Sequence, residues 1–412
     1  MKKLLSEVLN DIKPSKDYEE EILKKAYNII NRINKNIKNA KAVLGGSGAK
    51  GTWLKTFDAD IFVMFNYGRH KDKSGQLSDI LGKSLKKHFK ITRLHGSRDY
   101  FQINQGKFTF EIIPILEIKK AEQAKNITDV SPLHSSFVLK HKKLIDEMRL
   151  TKQFFKASKV YGAESYIQGF SGYVCEILTV YYGSFLNLMK AITKWKEKTI
   201  VDVKNYYKGK NVLMELNKSK LTSPLIVIDP VQKDRNAAAA LDHEKFDIMT
   251  HRAKEFLKKP SREFFEIKEF EEKDIRTKFS ENLVMLEAKP LNKKEDVAGA
   301  KMLKAFHFIE QNLVFHGFKV VESDMLWHSK DASLFYYALE SDKLPETKEV
   351  IGPPVKIKLH AELFRKKHKN TFEKNSRLYA KENRKYSSAR DLIKYIVNAS
   401  NVKDNLKSIR TV

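Results

Sequence analysis

The residues best suited to chemistry are three carboxylates, Asp58, Asp60 and Glu111. Asp58 and Asp60 open an apolar segment that ends at Phe65, and alternate residues of a strand point to the same face. Glu111 is the lone charge inside the apolar residues 108–115. In two-metal catalysis, carboxylates converge on divalent cations about 3.5–4 Å apart, so this pattern indicates nucleotidyl transfer.

Each carboxylate also has a purely structural interpretation. Aspartates at the start of a strand are commonly turn or cap residues, and Glu111 alone could face solvent from an edge strand. An unpaired carboxylate in an apolar strand is costly, however, so Glu111 requires a metal or a basic partner. The three together, downstream of Gly46 and Ser47, favour a metal site.

The segment GSGAKG, residues 46–51, precedes the aspartates and resembles a phosphate cradle. A tight turn at Gly46 and Ser47 allows close backbone approach, and the Ser47 hydroxyl with nearby amides can bind phosphate oxygens. Lys50 adds a cation. The pattern G-x-x-x-x-G-K-[ST] is absent, which excludes a Walker A loop, and a plain flexible loop is the alternative.

Apolar periodicity predicts the elements that position these residues. Helices within residues 1–38 precede five strands and one helix, which together form a mixed α/β head. The expected strands are residues 41–44, 60–65, 90–94, 100–103 and 108–118. Mostly helical residues follow to about 217, with another helix beginning at 237, and an α+β region includes a strand at 355–359.

We therefore predict an α+β multidomain protein with three parts. Residues 1–130 form a mixed α/β head, residues 131–258 a mostly helical domain, and residues 259–412 an α+β body and tail. The chain of 412 residues is long enough for several cores, since single domains rarely exceed ~250–300 residues.

The charge balance indicates a polyanionic partner. The formal net charge is +27, from 78 Lys and Arg against 51 Asp and Glu, and such an excess favours nucleic acid held by counterion release. A lysine-rich genome or a thermophilic life style is the alternative. The single cysteine, Cys175, excludes internal disulfides and all-cysteine metal sites. No apolar run approaches a membrane span or a signal peptide, so cytoplasmic residence is expected.

These motifs resemble the DNA-polymerase-β-type nucleotidyltransferase superfamily. The pair Gly-Ser followed by D-x-D in the next strand, with a later strand carboxylate, is similar to that superfamily's pattern. The chain is more specifically similar to the archaeal, class I CCA-adding enzymes (tRNA nucleotidyltransferases). The similarity covers about residues 40–245 and continues more loosely to the C-terminus. The stretches that carry it are GSGAKGTWLKTFDADIFVMF, FEIIPILEI, NITDVSPLH, VYGAESYIQGFSGYVCEIL and IDPVQKDRNAAAAL.

The resemblance implies that residues 1–130 are the catalytic head, residues 131–258 the nucleotide-recognition domain and residues 259–412 the RNA-binding body and tail. It also implies roles for particular residues. Asp58, Asp60 and Glu111 match the catalytic metal ligands, which in the family hold two Mg²⁺ ions; the third position is commonly Asp. Ser47 and Lys50 fall where the family contacts the triphosphate, and Lys50 stands where many members have Arg.

Three further residues match positions that hold the incoming nucleotide in the family: His134, Lys152 and Tyr161. From the sequence alone, His134 could be a polar cap near a helix start, Lys152 a solvated residue and Tyr161 a core residue. Arg235 fits a contact to a nucleobase edge or a phosphate, because its planar fork suits acceptors. An ion pair with Asp229 or Asp234 is the alternative for Arg235.

The tail carries the basic run Arg365, Lys366, Lys367 and Lys369 on an expected helix. It is interpreted as an RNA-phosphate contact because Phe364 and Phe372 flank it; a solvated helix face is the alternative.

The expected function is template-independent addition and repair of the 3′-terminal CCA of tRNA from CTP and ATP, with release of pyrophosphate. By resemblance, the partners are the acceptor and TΨC arms of tRNA, and a homodimer is expected. The alternatives are a poly(A) polymerase or oligoadenylate-synthetase-like nucleotidyltransferase, or an inactive RNA-binding relative.

Overall fold

A computed structural model of the chain describes residues 1–55, 59–268, 272–279, 282–291, 295–329 and 332–412. Two compact units, Met1–Lys268 and Glu269–Val412, divide the chain. Both units mix helices and strands, which confirms the predicted α+β multidomain fold class. The predicted Asp58 lies outside the described residues.

The first half of the first unit is built around a five-stranded sheet. Its strands are β1 (Ala40–Leu44), β2 (Ala59–Asn66), β3 (Thr92–Leu94), β4 (Tyr100–Gln105) and β5 (Phe108–Glu117), in the order β1-β2-β5-β4-β3. Only β2 and β5 run parallel; the other neighbours are antiparallel. The accompanying helices are α1 (Lys2–Ile12), α2 (Lys16–Asn36), α3 (Gly46–Lys50), α4 (Tyr67–His70) and α5 (Leu77–Leu85).

Strand alternation gives this sheet a buried face and a site face. On β2, Ile61, Val63 and Phe65 join one apolar core with residues of α2 and α5, while Asp60 points the other way and is half-buried. Glu111 occupies the equivalent half-buried position between Phe110 and Ile112 of β5. The hydrophobic pattern therefore determines that both carboxylates emerge on the same side.

The second half of the first unit is mostly helical. Its helices are α6 (Ser131–Leu139), α7 (Ile145–Ala157), α8 (Gly172–Tyr182), α9 (Phe185–Ile192), α10 (Val212–Glu215) and α11 (His243–Lys258). A small sheet has the order β6 (Thr199–Asp202), β7 (Leu225–Asp229), β8 (Gln232–Asn236). Gly183 separates α8 from α9 in a left-handed conformation with φ of 79°, which glycine adopts without a Cβ penalty.

The second unit contains two antiparallel sheets. One has the order β10 (Val320–Ser329), β11 (Ala332–Leu339), β9 (Leu283–Pro290), β15 (Leu406–Thr411), and the other β12 (Thr347–Pro354), β14 (Arg377–Asn383), β13 (Thr371–Lys374). Its helices are α12 (Glu272–Phe279), α13 (Glu295–Phe315), α14 (Lys358–Lys367), α15 (Ala389–Ile396) and α16 (Ser400–Lys403). Helix α13 packs over the four-stranded sheet of this unit, and its residues Met302, Ile309 and Leu313 join the buried core.

Three local predictions differ from the structure. The expected strand at 355–359 is wrong, because Pro354 ends β12 and α14 begins at Lys358. The helix expected from 237 begins at His243, where the Asp242 side chain accepts the Lys245 N–H. The expected turn at Gly46 and Ser47 is instead the start of the five-residue helix α3, which Gly51 ends in a left-handed conformation.

Within the described residues, the helices are all too short or too polar for a bilayer-spanning segment.

Candidate active site

Asp60 and Glu111 lie side by side on two adjacent interior strands of the five-stranded sheet. They are directly paired in the parallel register of β2 and β5, so both side chains project from adjacent strands on one face. Gln102 of β4 is paired with Glu111, and its Nε2 donates to Glu111 Oε1 at 3.2 Å. The predicted convergence of these two carboxylates therefore has a direct geometric basis.

Gly46 packs directly against the Asp60 carboxylate. A Cβ at Gly46 would overlap Asp60 Oδ2, and the φ of Gly46 is +52°, in the left-handed region. The Gly45 N–H donates to the Asp60 carbonyl oxygen at 2.8 Å, which joins α3 to β2. A glycine is thus required at position 46, and Ser47 follows at once, half-buried.

The described residues include no group of three or more His, Cys, Asp or Glu side chains that could hold a metal ion. Asp58, the third predicted ligand, lies outside them. The part that is described fits a hard divalent cation, because Asp60 and Glu111 supply carboxylate oxygens from adjacent positions.

Lys50 and Lys152 share one buried carboxylate, Glu176 of α8. Lys50 Nζ donates to Glu176 Oε2 at 2.7 Å, and Lys152 Nζ donates to Glu176 Oε1 at 2.6 Å. The Thr52 hydroxyl donates to Glu176 Oε1 at 2.6 Å and accepts from Lys152 Nζ at 2.8 Å. We call Lys50, Thr52, Lys152 and Glu176 the Glu176 cluster.

Burial shapes the charges of the Glu176 cluster. Burial would raise the pKa of Glu176, but Lys152 and Lys50 outweigh it and lower that pKa to about 2. Burial lowers the pKa of Lys152; Glu176 opposes that shift, and the neighbouring Lys50 adds to it. Glu176 is therefore ionised, and the protonated form of Lys152 depends on its carboxylate partner.

Tyr161 lies next to this cluster. A Cβ at Gly172 would come within 2.6 Å of the Tyr161 hydroxyl and 3.6 Å of Lys152 Cε, so Gly172 admits both side chains. Burial raises the pKa of Tyr161, and the nearby Cys175 and Glu176 raise it further. The phenol is thus a neutral hydroxyl at physiological pH.

His134 and Arg235 share a second buried carboxylate, Asp229 at the end of β7. Asp229 Oδ2 accepts from Arg235 Nη1 at 2.6 Å and from His134 Nε2 at 3.2 Å. Asp229 Oδ1 accepts from the Tyr173 hydroxyl at 3.2 Å and from the Val231 N–H at 2.9 Å. We call His134, Tyr173, Asp229 and Arg235 the Asp229 cluster.

Asp229 determines the hydrogen-bonding state of His134. Burial would raise the pKa of Asp229, but the bonds from His134 and Val231 and the charge of Arg235 together lower it. An ionised carboxylate can only accept, so the proton of this bond is on His134 Nε2. The imidazole also stacks on Tyr173, with ring centroids 3.9 Å apart.

Arg235 forms the ion pair that was the alternative prediction for it, and its partner is Asp229 rather than Asp234. That pair uses one guanidinium nitrogen of a side chain that is 30% exposed. Because a guanidinium carries five N–H donors, the pair leaves donors for a ligand. The ion pair and a nucleobase contact are compatible.

Packed elements connect these groups. Helix α3 contacts both β2, which carries Asp60, and α6, which carries His134. Helix α8, with Glu176, contacts α6, α7 and β7. The side chain of Val231 packs against the cores of both halves of the first unit. The structure thus gathers the predicted residues of the first unit that it describes into three small groups on adjoining elements.

The predicted RNA-binding residues belong to the second unit. Arg365, Lys366 and Lys367 are exposed on the last turns of α14, and Lys369 is exposed just after it. Phe364 is half-buried against His368, with ring centroids 4.3 Å apart. Phe372 is exposed and stacks on Tyr379. The four cations therefore form an accessible basic surface.

The sequence analysis missed Glu176, Thr52 and Tyr173 as site residues and considered Asp229 only as a partner of Arg235. The signal for two of them was present. Glu176 is the only charge in α8 (GYVCEILTVYY), and Asp229 ends the fully buried strand LIVID. The reasoning applied to Glu111, that a lone charge among apolar residues needs a partner, applies to both.

Three family models match the chain. The model described as "Second Messenger Oligonucleotide or Dinucleotide Synthetase domain" matches residues 1–131. The model "tRNA nucleotidyltransferase, second domain" matches residues 146–266, and "CCA-adding enzyme, C-terminal domain" matches residues 284–411.

Solved structures share the fold at low identity. A structure of the Cid1 protein, described as an RNA terminal uridylyl transferase, superposes with a TM-score of 0.52 at 14% identity, covering 66% of this chain and 98% of that one. A cytoplasmic RNA terminal U-transferase gives a TM-score of 0.51, also at 14% identity, covering 65% of this chain and 98% of that one. These similarities show that about two thirds of this chain shares the fold of those terminal transferases.

Curated relatives match nearly the whole chain. The CCA-adding enzyme of Nanoarchaeum equitans is 34% identical over 91% of this chain and 92% of its own length. That of Methanocaldococcus jannaschii is 32% identical over 97% and 91%, and that of Saccharolobus shibatae 30% identical over 98% and 93%. This chain belongs to the family of archaeal CCA-adding enzymes, which are tRNA nucleotidyltransferases.

Proposed function

We propose that this protein adds and repairs the 3′-terminal CCA of tRNA without a nucleic-acid template, using CTP and ATP and releasing pyrophosphate. The observation that carries the proposal is the paired placement of Asp60 and Glu111 on adjacent parallel strands in a chain similar to CCA-adding enzymes over nearly its full length. The alternative, A-only addition, is not favoured by these relatives.

Nucleotide substrates and a divalent metal follow from the family, and two Mg²⁺ ions are the finer proposal. Asp58, Asp60 and Glu111 would hold them. When bound, the metal would neutralise triphosphate charge, lower the pKa of the attacking hydroxyl and stabilise the leaving pyrophosphate. Gly46 supports this role, because only a residue without a Cβ leaves the Asp60 carboxylate in place.

In the proposed reaction, the 3′-hydroxyl oxygen of the tRNA forms a bond to the α-phosphorus of the nucleotide. The bond from that phosphorus to the bridging oxygen breaks in line, and pyrophosphate leaves. Asp60 or Glu111 is the carboxylate beside the attacking oxygen and takes its proton. Their paired register supports this role, because both side chains project from adjacent strands on one face.

The remaining predicted site residues of the first unit would bind the nucleotide. Ser47, Lys50, Lys152 and Tyr161 are proposed to contact the triphosphate, supported by the shared position of the two lysines on Glu176. His134 and Arg235 are proposed to hold the base side, supported by the exposed part of Arg235. By this proposal, the growing RNA end completes the pocket that selects C or A.

The basic surface of Arg365, Lys366, Lys367 and Lys369 would bind the phosphates of the tRNA acceptor and TΨC arms. Its exposure and the net charge of +27 support a contact that follows A-form shape. Replacing these four residues by Gln should weaken tRNA binding and reduce its dependence on salt; an unchanged salt slope argues against this surface.

The homodimer, the cytoplasmic residence and the three-domain division remain predictions.

The test of the function uses tRNA transcripts that lack CCA, incubated with Mg²⁺ and CTP, ATP or both. We expect two C residues from CTP alone and complete CCA from the mixture. A-only addition contradicts the proposal.

The same assay tests the carboxylates. Glu111→Gln should lower kcat by at least about 100-fold, since metal stabilisation of a transition state is worth several kcal/mol. Glu117→Gln is the matched control, because Glu117 is an exposed carboxylate on the same strand, roughly 20 Å away at the ordinary strand rise. Equal activity of both variants would exclude Glu111 as a ligand.

A further inference from the structure

Glu176 is a buried acid to which nothing above assigns a part in the reaction. Its side chain is fully buried, and the side chains of Lys50 and Lys152 are 10% and 4% exposed. Its three donors come from two distant segments: Lys50 ends α3 and Thr52 follows it, whereas Lys152 lies on α7. One carboxylate therefore joins the proposed phosphate-binding segment to two helices of the other half of the unit.

The hydrogen bonds of the Glu176 cluster leave little freedom. One oxygen of Glu176 accepts from Lys50, and the other accepts from Thr52 and Lys152. The Thr52 hydroxyl closes a ring by accepting from Lys152 while donating to Glu176. Both ammonium groups are thus held against one carboxyl group, with orientations determined by buried partners.

The charges of the cluster do not balance. Two ammonium groups face one carboxylate, so the cluster carries a surplus positive charge in a site that excludes most water. A buried surplus charge is expensive unless a further partner compensates it. One lysine would be enough to link the helices through an ion pair with Glu176. Two lysines side by side suit a polyanion such as a triphosphate.

We propose that Glu176 is a positioning residue for nucleotidyl transfer, which holds Lys50 and Lys152 together so that a nucleoside triphosphate completes their charge balance. This inference rests on the proposed function. Glu176 itself touches no substrate; it acts through the two lysines. Because the triphosphate is common to CTP and ATP, Glu176 serves both substrates equally.

A pH dependence follows from the groups that face Lys152. These are Glu176 and Cys175 of α8, Lys50 and Thr52 near α3, and Tyr161 across Gly172. Glu176 is the group whose charge most favours the protonated lysine. Without that charge, Lys152 loses its proton at lower pH, and the alkaline limb of kcat/KM for the nucleotide moves to lower pH.

The test compares Glu176→Gln with the unaltered protein in the tRNA assay, from neutral pH to about pH 10. We expect the KM for CTP and for ATP to rise together by about tenfold or more, with the KM for tRNA unchanged and the alkaline limb moved to lower pH. Glu176→Asp restores the carboxylate and should return the limb toward its original position.

Glu147→Gln is the control for a purely structural carboxylate. Glu147 lies on α7, and its Oε2 accepts the Phe185 N–H at 2.8 Å, so its loss should affect stability without moving the alkaline limb. If Glu176→Gln behaves like Glu147→Gln, with both KM values and the pH limb unchanged, the inference is wrong. If the unaltered protein adds no CCA, the proposed function fails instead.

If Glu176→Gln does not fold, calorimetry of the unaltered protein tests whether the triphosphate binds next to protonated Lys152. Binding of a non-hydrolysable CTP analogue is measured at alkaline pH in two buffers with different ionisation enthalpies. Since the triphosphate favours protonated Lys152, we expect proton uptake on binding, with less uptake in Lys152→Met. Binding without proton uptake, or uptake that Lys152→Met leaves unchanged, overturns the inference.

Discussion

The Glu176 cluster and the Asp229 cluster are built alike and differ in their access to solvent. Each has a fully buried carboxylate that joins two basic side chains from distant parts of the chain. The lysines of the Glu176 cluster are 10% and 4% exposed, whereas His134 and Arg235 of the Asp229 cluster are 13% and 30% exposed. The first cluster is the less exposed of the two, and the second presents more of its donors at the surface, chiefly through Arg235.

This difference indicates that the two clusters bind different parts of one nucleotide. A mostly buried pair of ammonium groups suits the triphosphate, which carries the same charge in every substrate. An open guanidinium fork beside an oriented imidazole suits a base edge, where donors and acceptors differ between nucleotides. We therefore expect Glu176 to serve the triphosphate end of the nucleotide and Asp229 to serve the base end.

The largest expected effect separates the two carboxylates by stability. Glu176→Ala leaves two mostly buried ammonium groups without their carboxylate and should lower the free energy of unfolding by roughly 3–5 kcal/mol. Asp229→Ala should cost roughly 1–3 kcal/mol, because the partly exposed Arg235 can regain water. Urea unfolding followed by circular dichroism measures both, and a greater loss for Asp229→Ala would reverse the comparison.

A second test changes the shape of the cation in the Asp229 cluster. Arg235→Lys can keep an ion pair with Asp229 but loses the planar fork, so kcat/KM for CTP and ATP should fall by about 10-fold or more. Stability should change little. Kinetics identical to those of the unaltered protein would mean that Arg235 serves only to pair with Asp229.

A third test uses acid pH. The pKa of Glu176 lies at about 2, below its ordinary value of 4.5, and that of Asp229 is also lowered, from an ordinary 3.8. A carboxylate with a lowered pKa stabilises the fold above its unfolded pKa, and this contribution is lost as pH falls through the folded pKa. At alkaline pH, Lys152 also makes the free energy of unfolding increase with pH. Its pKa is lowered in the folded protein, so the folded state binds fewer protons than the unfolded state as pH rises toward 10.5.

The stability difference between the unaltered protein and Glu176→Gln should therefore shrink as pH falls below about 4.5. The difference for Asp229→Asn should persist to about pH 3.8 before it shrinks. Urea midpoints measured across this pH range check both, and differences independent of pH would show that neither carboxylate acts through its charge.

The smallest expected effects come from the two hydroxyls. Tyr173→Phe removes one of four donors to Asp229 and keeps the stack on His134, so it should cost roughly 0.5–1.5 kcal/mol. Thr52→Val should cost somewhat more, because the Thr52 hydroxyl both donates to Glu176 and accepts from Lys152. Thermal unfolding of the two variants ranks them, and the opposite order would count against the closed ring.

Local patterns in the sequence predicted well the two strands that carry Asp60 and Glu111. The strand periodicity around Asp60 and Glu111 determined which face each occupies, and the parallel pairing placed them together. The short helix α3 could not be predicted from GSGAKG, because two left-handed glycines, Gly46 and Gly51, and packing against Asp60 maintain it. Similarly, a proline ended β12 where the alternation of residues 355–359 suggested a strand.

The two clusters show why the rest of the site was harder to predict. Lys50 and Lys152 were identified one by one, but their common partner Glu176 is 126 residues from Lys50. A lone charge in an apolar helix indicates that a partner exists and not which residue it is. Only the fold brings Lys50 of α3 and Lys152 of α7 to Glu176 of α8.

The most direct test of these roles of Glu176 and Asp229 is the set of kcat/KM values for CTP, ATP, UTP and GTP on tRNA substrates ending at each step of CCA. Glu176→Gln should lower the values for CTP and ATP by the same factor and keep discrimination against UTP and GTP unchanged. Asp229→Asn should relax that discrimination by about tenfold or more. Relaxed discrimination in Glu176→Gln, or a uniform loss in Asp229→Asn, would contradict the account.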